Sequence, residues 1–122
     1  MKRSPLTLLV AAAALLGVAG CGSTTRVSRN GTLEVALTEY RVTPQAVDAN
    51  SGLLTLVVHN YGRLTHNLVI SLNGVAEVST KPVAPGQTVE METVLGPGRY
   101  VMASTLLSDQ ALGAYSTLDV SS

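Results

Sequence analysis

"LTLVVHNYGRLTHNLVI", residues 54 to 70, holds two apolar runs joined by a short polar stretch. The first run, which reaches back to Leu53, is aliphatic and rich in β-branched residues and reads as a buried strand. The second alternates: His66, Leu68, Ile70 and Leu72 share one face, which is the period of a strand with one side against a core. His59 has the opposite parity to Leu54, Leu56 and Val58. It therefore points away from His66 when those aliphatic residues face inward. His59 and His66 are the only histidines in the chain, and His66 stands at the head of its strand, where a metal ligand can sit.

The same period of two runs outward in both directions. "TLEVAL" puts Leu33, Val35 and Leu37 on one face and Thr32, Glu34 and Ala36 on the other. In "YRVTPQAVDANSG", Pro44 interrupts ladder pairing and Asn50-Ser51-Gly52 signals a turn. Asn73-Gly74 is a strong turn. "APGQ" opens a strand with Val89 and Met91 facing in, "GPG" at 96 to 98 turns the chain, and "RYVMAS" aligns Tyr100, Met102 and Ser104. "STLDV" closes the domain with Leu118 and Val120. "LLSDQALGAY" has room for one short helical turn at most. Short strands with turns at near-regular spacing predict an all-β sandwich or small barrel. Pro44, Pro82 and charged residues blunt its edges.

The first residues have a different character. "MKRSPLTLLVAAAALLGVAGC" begins basic with Lys2 and Arg3, is apolar from Leu6 to Ala19, and places small residues before Cys21. It reads as a secretory signal whose apolar core is short for a membrane span. Val18-Ala19-Gly20-Cys21 resembles the bacterial lipobox. The resemblance implies cleavage before Cys21, a diacylglycerol on its thiol, and acylation of the new amino group, a firm anchor because several acyl chains act together. Cys21 is the only cysteine, so no intramolecular disulfide staples the domain. The expected organisation is a signal peptide over 1–20, the lipidated Cys21 with a flexible polar tether over 21–31, and the β-sandwich over 32–122. The place is the extracytoplasmic side of the cell membrane or the outer membrane.

Removing Lys2 and Arg3 takes eight basic residues to six against eight acidic ones, a net charge of −2. That balance lacks the basic patch of a nucleic-acid binder. Phe and Trp are absent and only four Tyr are present, so base-stacking platforms are lacking too.

From Leu33 to Val120 the chain resembles a cupredoxin, which implies a Greek-key β-sandwich. The resemblance rests on "EYRVTPQAV", the stretch quoted first, "VAPGQTVEMETVLGPGRY" and "GAYSTLDV", in that order. The family's middle motif is a strand ending in Asn, a short loop, then His-Asn-Leu; Asn60 and His66-Asn67-Leu68 match it. The resemblance also implies where copper ligands belong: this His, then a Cys, a His and a Met from a later loop. The Cys position, four residues after Tyr100, is Ser104. The His position is Asp109, and the Met position, after Gly113, is Ala114. Thiolate and imidazole suit both copper oxidation states, and a hydroxyl cannot replace the thiolate. His66, Ser104, Asp109 and Ala114 therefore read as a vestigial copper site, and neither copper nor any other cofactor is expected.

Three readings of these positions differ in chemistry. In the first, His66 is structural and bonds Ser104 or Asp109, while Leu106, Leu107, Leu112 and Tyr115 cap the emptied end; exposed, they would form a patch for a partner. In the second, His66 and Asp109 hold zinc or copper weakly, with too few ligands for a structural site. In the third, Ser104, His66 and Asp109 form a hydrolytic triad, but a triad needs Ser and Asp on opposite ring nitrogens, and no Gly-x-Ser-x-Gly elbow is present. The expectation is no catalysis: a membrane-anchored envelope lipoprotein acting as a binding or scaffolding module, with an envelope protein as partner. The alternative is a copper- or zinc-handling accessory protein.

Overall fold

The computed structural model describes residues 23–106 and 112–122. Ten strands run in chain order: β1 (Thr25–Val27), β2 (Thr32–Thr38), β3 (Arg41–Thr43), β4 (Ala46–Asn50), β5 (Gly52–Asn60), β6 (Val69–Leu72), β7 (Val75–Ser79), β8 (Thr88–Leu95), β9 (Gly98–Ala103) and β10 (Tyr115–Ser121). They form two sheets, one ordered β1-β4-β10-β9-β6-β7 and the other β3-β2-β5-β8. The fold is an all-β, cupredoxin-like sandwich, with no α-helix among the described residues.

The alternation in the sequence becomes the two faces of each sheet. Leu33, Val35 and Leu37 of β2 and Leu54, Leu56 and Val58 of β5 are buried. They pack against Val47, Ile70, Met102 and Leu118 from the other sheet and Leu68 just before β6. Burying one such side chain contributes about 1.5–3 kcal/mol before chain entropy is set against it. Met91 and Val89 sit partly buried at the margin of this core. His66, Leu68, Ile70 and Leu72 share the inward side, although regular pairing with β9 begins only at Val69. Before that, His66 forms an isolated bridge to Val83.

The expected tether over 21–31 needs correction. Thr25–Val27 is a strand, paired parallel with β4 from Thr25↔Val47 to Val27↔Ala49. Val27 belongs to the hydrophobic core, so the domain starts at or before Thr25 and not at 32. One buried valine in a polar stretch carries no period, which is why the strand does not stand out in the sequence. β7 is hidden for the same reason, since four of its five residues are exposed. The segment around Pro44 holds β3 and β4, with Pro44 in the gap between them. The short helical turn allowed over "LLSDQALGAY" lies mostly outside the described residues.

Strand directions bring one set of loops together. β2 and β5 are parallel, and both end where Glu39 and Tyr61 follow. β9 ends and β10 begins beside the start of β6, with Ala103 paired to both Val69 and Tyr115. Glu39 reaches the loop that leads to His66, so these connections share one end of the sandwich. His66, Ser104 and Ala114 lie here.

Candidate functional site

His66 is fully buried. Its backbone is fixed by the Val83 bridge, with its N–H donating to the Val83 carbonyl at 3.1 Å and its carbonyl accepting from the Val83 N–H at 2.7 Å. Its imidazole Nε2 lies 2.8 Å from Glu39 Oε2. A carboxylate only accepts, so Nε2 carries the proton. The same carboxylate accepts the Arg63 N–H at 3.0 and 2.9 Å and the Leu64 N–H at 3.1 Å. These bonds, the Arg63 amide first and His66 next, hold the Glu39 carboxyl down at about 2, from an ordinary 4.5.

The approach is close. A Cβ on Gly62 would collide with the Glu39 carboxylate, so glycine at 62 lets the carboxylate lie against the backbone of the loop. Tyr40, which follows Glu39, takes a positive φ of 67° to turn the chain into β3. Its carbonyl lies 3.2 Å from where a Cβ on Gly113 would stand, so the β2–β3 turn also touches the loop before β10.

Asn60 closes the loop from the other side. It is buried at the end of β5, and its Nδ2 donates to the carbonyls of Leu64 and Val83, each at 2.8 Å. Its Oδ1 accepts the Gly62 N–H at 2.8 Å. One side chain thereby bonds three backbone groups, of which the Val83 carbonyl also accepts the His66 N–H. Glu39 and Asn60 together clamp the segment that delivers His66.

Ser104 and Ala114 are buried beside this clamp, and the Ser104 N–H donates to the Ala114 carbonyl at 3.1 Å. The Ser104 hydroxyl faces Asn67, 3.4 Å from its N–H and 3.5 Å from its Oδ1. Asn67 is held more tightly by Thr105, whose N–H donates to Oδ1 at 2.7 Å and whose Oγ1 accepts from Nδ2 at 3.0 Å. Three of the four positions that the resemblance marks for ligands, His66, Ser104 and Ala114, therefore share one buried region. Asp109 lies outside the described residues, as do Leu107 and Cys21.

His66 has in Glu39 a partner that the sequence reading does not name, and Asp109, one of its expected partners, lies outside the described residues. The loop does not form a uniform apolar cap: Leu112 is 56% exposed and Tyr115 49%. His59 points to the outer face, as its parity requires; it contacts Glu34 Oε1 at 2.8 Å and Thr88 Oγ1 at 2.9 Å and stacks on Tyr61. Glu39 is the residue that sequence reasoning misses. A glutamate at a strand end reads as a solvated charge, and only the 27-residue closure to His66 reveals its use. Among the described residues, no three His, Cys, Asp or Glu side chains group to hold a metal ion.

No protein-family profile matches the chain, and no curated protein matches it. Solved structures do. The reduced auracyanin of Roseiflexus castenholzii superposes with a TM-score of 0.69 at 21% identity, over 75% of this chain and 97% of that one. Auracyanin A of Chloroflexus aurantiacus, a blue copper protein, gives 0.66 at 16% identity over 73% and 97%. A purple cupredoxin from Nitrosopumilus maritimus gives 0.54 at 16% identity over 72% and 98%. Likeness at this identity establishes the shared fold.

Proposed function

We propose that this chain is a cell-envelope lipoprotein, anchored through Cys21, whose cupredoxin-like domain has lost the type 1 copper site and serves as a non-catalytic binding or scaffolding module. The observation that carries this reading is the donor set at this end: the buried His66 and Ser104, with a partly exposed Glu39 on the imidazole. The imidazole Nε2 already donates to a carboxylate, and that carboxylate is shared with two backbone amides. That bond fixes the orientation of the ring. Ser104 offers a hydroxyl where a soft copper site needs a thiolate, and Ala114 offers no donor. This donor set does not fit a blue-copper centre. Carboxylate, imidazole and amides satisfy one another there instead.

The second reading, a copper- or zinc-handling accessory protein, is favoured by one fact: an imidazole and a carboxylate meet at 2.8 Å. With Asp109 they would supply one nitrogen and two carboxylates, a weak set beside four-ligand sites. Titration of the purified lipidated chain with Cu(I), Cu(II) and Zn(II) separates the two. The module reading expects no submicromolar binding and no intense visible charge-transfer band with copper. Submicromolar binding lost in His66→Ala would replace it with the metal-handling reading. Anchoring is tested separately by Cys21→Ala, which should release the protein from membranes or leave an uncleaved precursor.

A further inference from the structure

We propose that the His66 end of the sandwich lies against the lipid surface, so that the domain stands on its β2–β3, β5–β6 and β9–β10 loops; this rests on the reading of Cys21 as lipid-bearing. Strand direction carries the first part. β1 is parallel to β4, and β4 is parallel to β10, which begins at Tyr115 at the His66 end. The chain upstream of Thr25 therefore heads toward that end. Thr25 is level with Val47 and, through it, with Leu118, three residues into β10 from Tyr115. That is about 10 Å below the rim. Cys21 is four residues before Thr25, a reach of about 14 Å at full extension. That reach at full extension passes the near rim by only a few ångströms. Turning back would spend about half of that length on the reversal, and the remaining ~7 Å falls short of the far rim.

Side chains carry the second part, independently of the tether. Three of the four tyrosines in the chain, Tyr40, Tyr61 and Tyr115, are exposed at this end, together with Leu64 and Leu112. Tyrosine favours the boundary between water and acyl chains, where its ring is buried and its hydroxyl stays wet. Arg41, Arg63 and Lys81 are exposed around the same loops, with the sign that anionic headgroups attract. Glu39 has its carboxylate turned onto backbone amides, while the exposed Glu90 lies beside Lys81. The opposite end exposes Leu53, Val75 and Val94 and no tyrosine; its charges are mixed, with Glu92 near Val94, Arg29 beside Gly52 and Arg99 paired with Asp119. In this orientation His66 faces the bilayer, and a partner for its surroundings would itself lie in or on the membrane.

The chain contains no Trp, so one introduced indole reports its own depth. The lipidated full chain, carrying Tyr61→Trp, Leu112→Trp, Val75→Trp or Val94→Trp singly, is reconstituted into phosphatidylethanolamine–phosphatidylglycerol vesicles with and without brominated acyl chains. Circular dichroism checks the fold of each variant, and flotation and the mass of the Cys21 peptide check the anchor. The expected result is loss of emission in brominated vesicles for Tyr61→Trp and Leu112→Trp and none for Val75→Trp and Val94→Trp. Equal quenching at both ends, or at neither, overturns the orientation while the anchor stands. A chain that does not float and carries no lipid removes the anchor, and the orientation falls with it.

Discussion

The His66 imidazole donates through Nε2 to Glu39 Oε2 at 2.8 Å, and that carboxylate also accepts the backbone amides of Arg63 and Leu64. The bond joins the end of the second strand to the head of the sixth, across the opening between the two sheets. It therefore couples the position of a buried ring to the ionisation of one carboxyl group.

That coupling has a definite sign. The folded Glu39 carboxyl titrates at about 2, below its ordinary 4.5. A lowered carboxyl pKa contributes stability that is fully present above about 4.5 and is lost as pH falls through about 2. Glu39→Gln should therefore be less stable than the wild type at neutral pH. The gap should narrow as pH falls across that window. Denaturant midpoints measured from pH 6 to pH 2 check it; a gap independent of pH would show that the charge of Glu39 is not what holds the loop.

The two histidines should differ sharply in cost. His66→Ala empties a fully buried site and removes a hydrogen-bond donor from Glu39, which should cost about 2–4 kcal/mol. His59 lies on the outer face, bonded to an exposed glutamate, and His59→Ala should cost no more than about 1 kcal/mol. Urea unfolding of both variants decides the point. Comparable losses would mean that burial does not set the role of His66.

Asn60 is tested by changing one atom. Asn60→Asp keeps the shape and the acceptor for Gly62 but removes the two hydrogens given to Leu64 and Val83. A buried carboxylate would then face two carbonyl oxygens, at a cost of about 2–4 kcal/mol. Amide exchange at Gly62 and Val83 should quicken in the same variant. Unchanged protection there would mean that the strands position the loop without this side chain.

How far this was legible in the sequence depends on how local each signal is. Leu33, Val35 and Leu37 announce their strand because parity within six residues is enough to see it, and His66 and His59 fall on the faces that parity assigns. Glu39 was not legible: its partner is 27 residues away, and nothing in "TEY" separates a carboxylate that binds the loop from a solvated charge. Leu112 and Tyr115 read either as a cap or, if exposed, as a patch, because apolarity alone does not say what covers a residue; both are exposed. β1 was missed because its contribution is a single inward valine. Val27→Asp should thus act as a core substitution, costing about 2–3 kcal/mol by burying an unpaired charge, while Arg26→Asp on the exposed side costs little. Equal, small effects would return residues 25–27 to the tether.

The reading of Ser104 and Asp109 as the places of lost ligands makes the last prediction. If the loop keeps its length and only its donors have changed, restoring them should restore copper chemistry. Ser104→Cys combined with Asp109→His gives a thiolate and two imidazoles, the set of a trigonal blue-copper site. The double variant should develop an intense visible charge-transfer band with Cu(II), and adding Ala114→Met should shift it by supplying a weak axial thioether. Neither single substitution should do so, because a lone thiolate beside His66 leaves one coordination position empty. Glu39 sharpens the test. Its hold on Nε2 orients the ring without needing a metal, so Glu39→Gln in the double variant should change the affinity for copper more than the colour. A folded double variant that binds copper without the band would mean that Ser104 and Asp109 do not face a common point with His66, and the vestigial-site reading would fail with it.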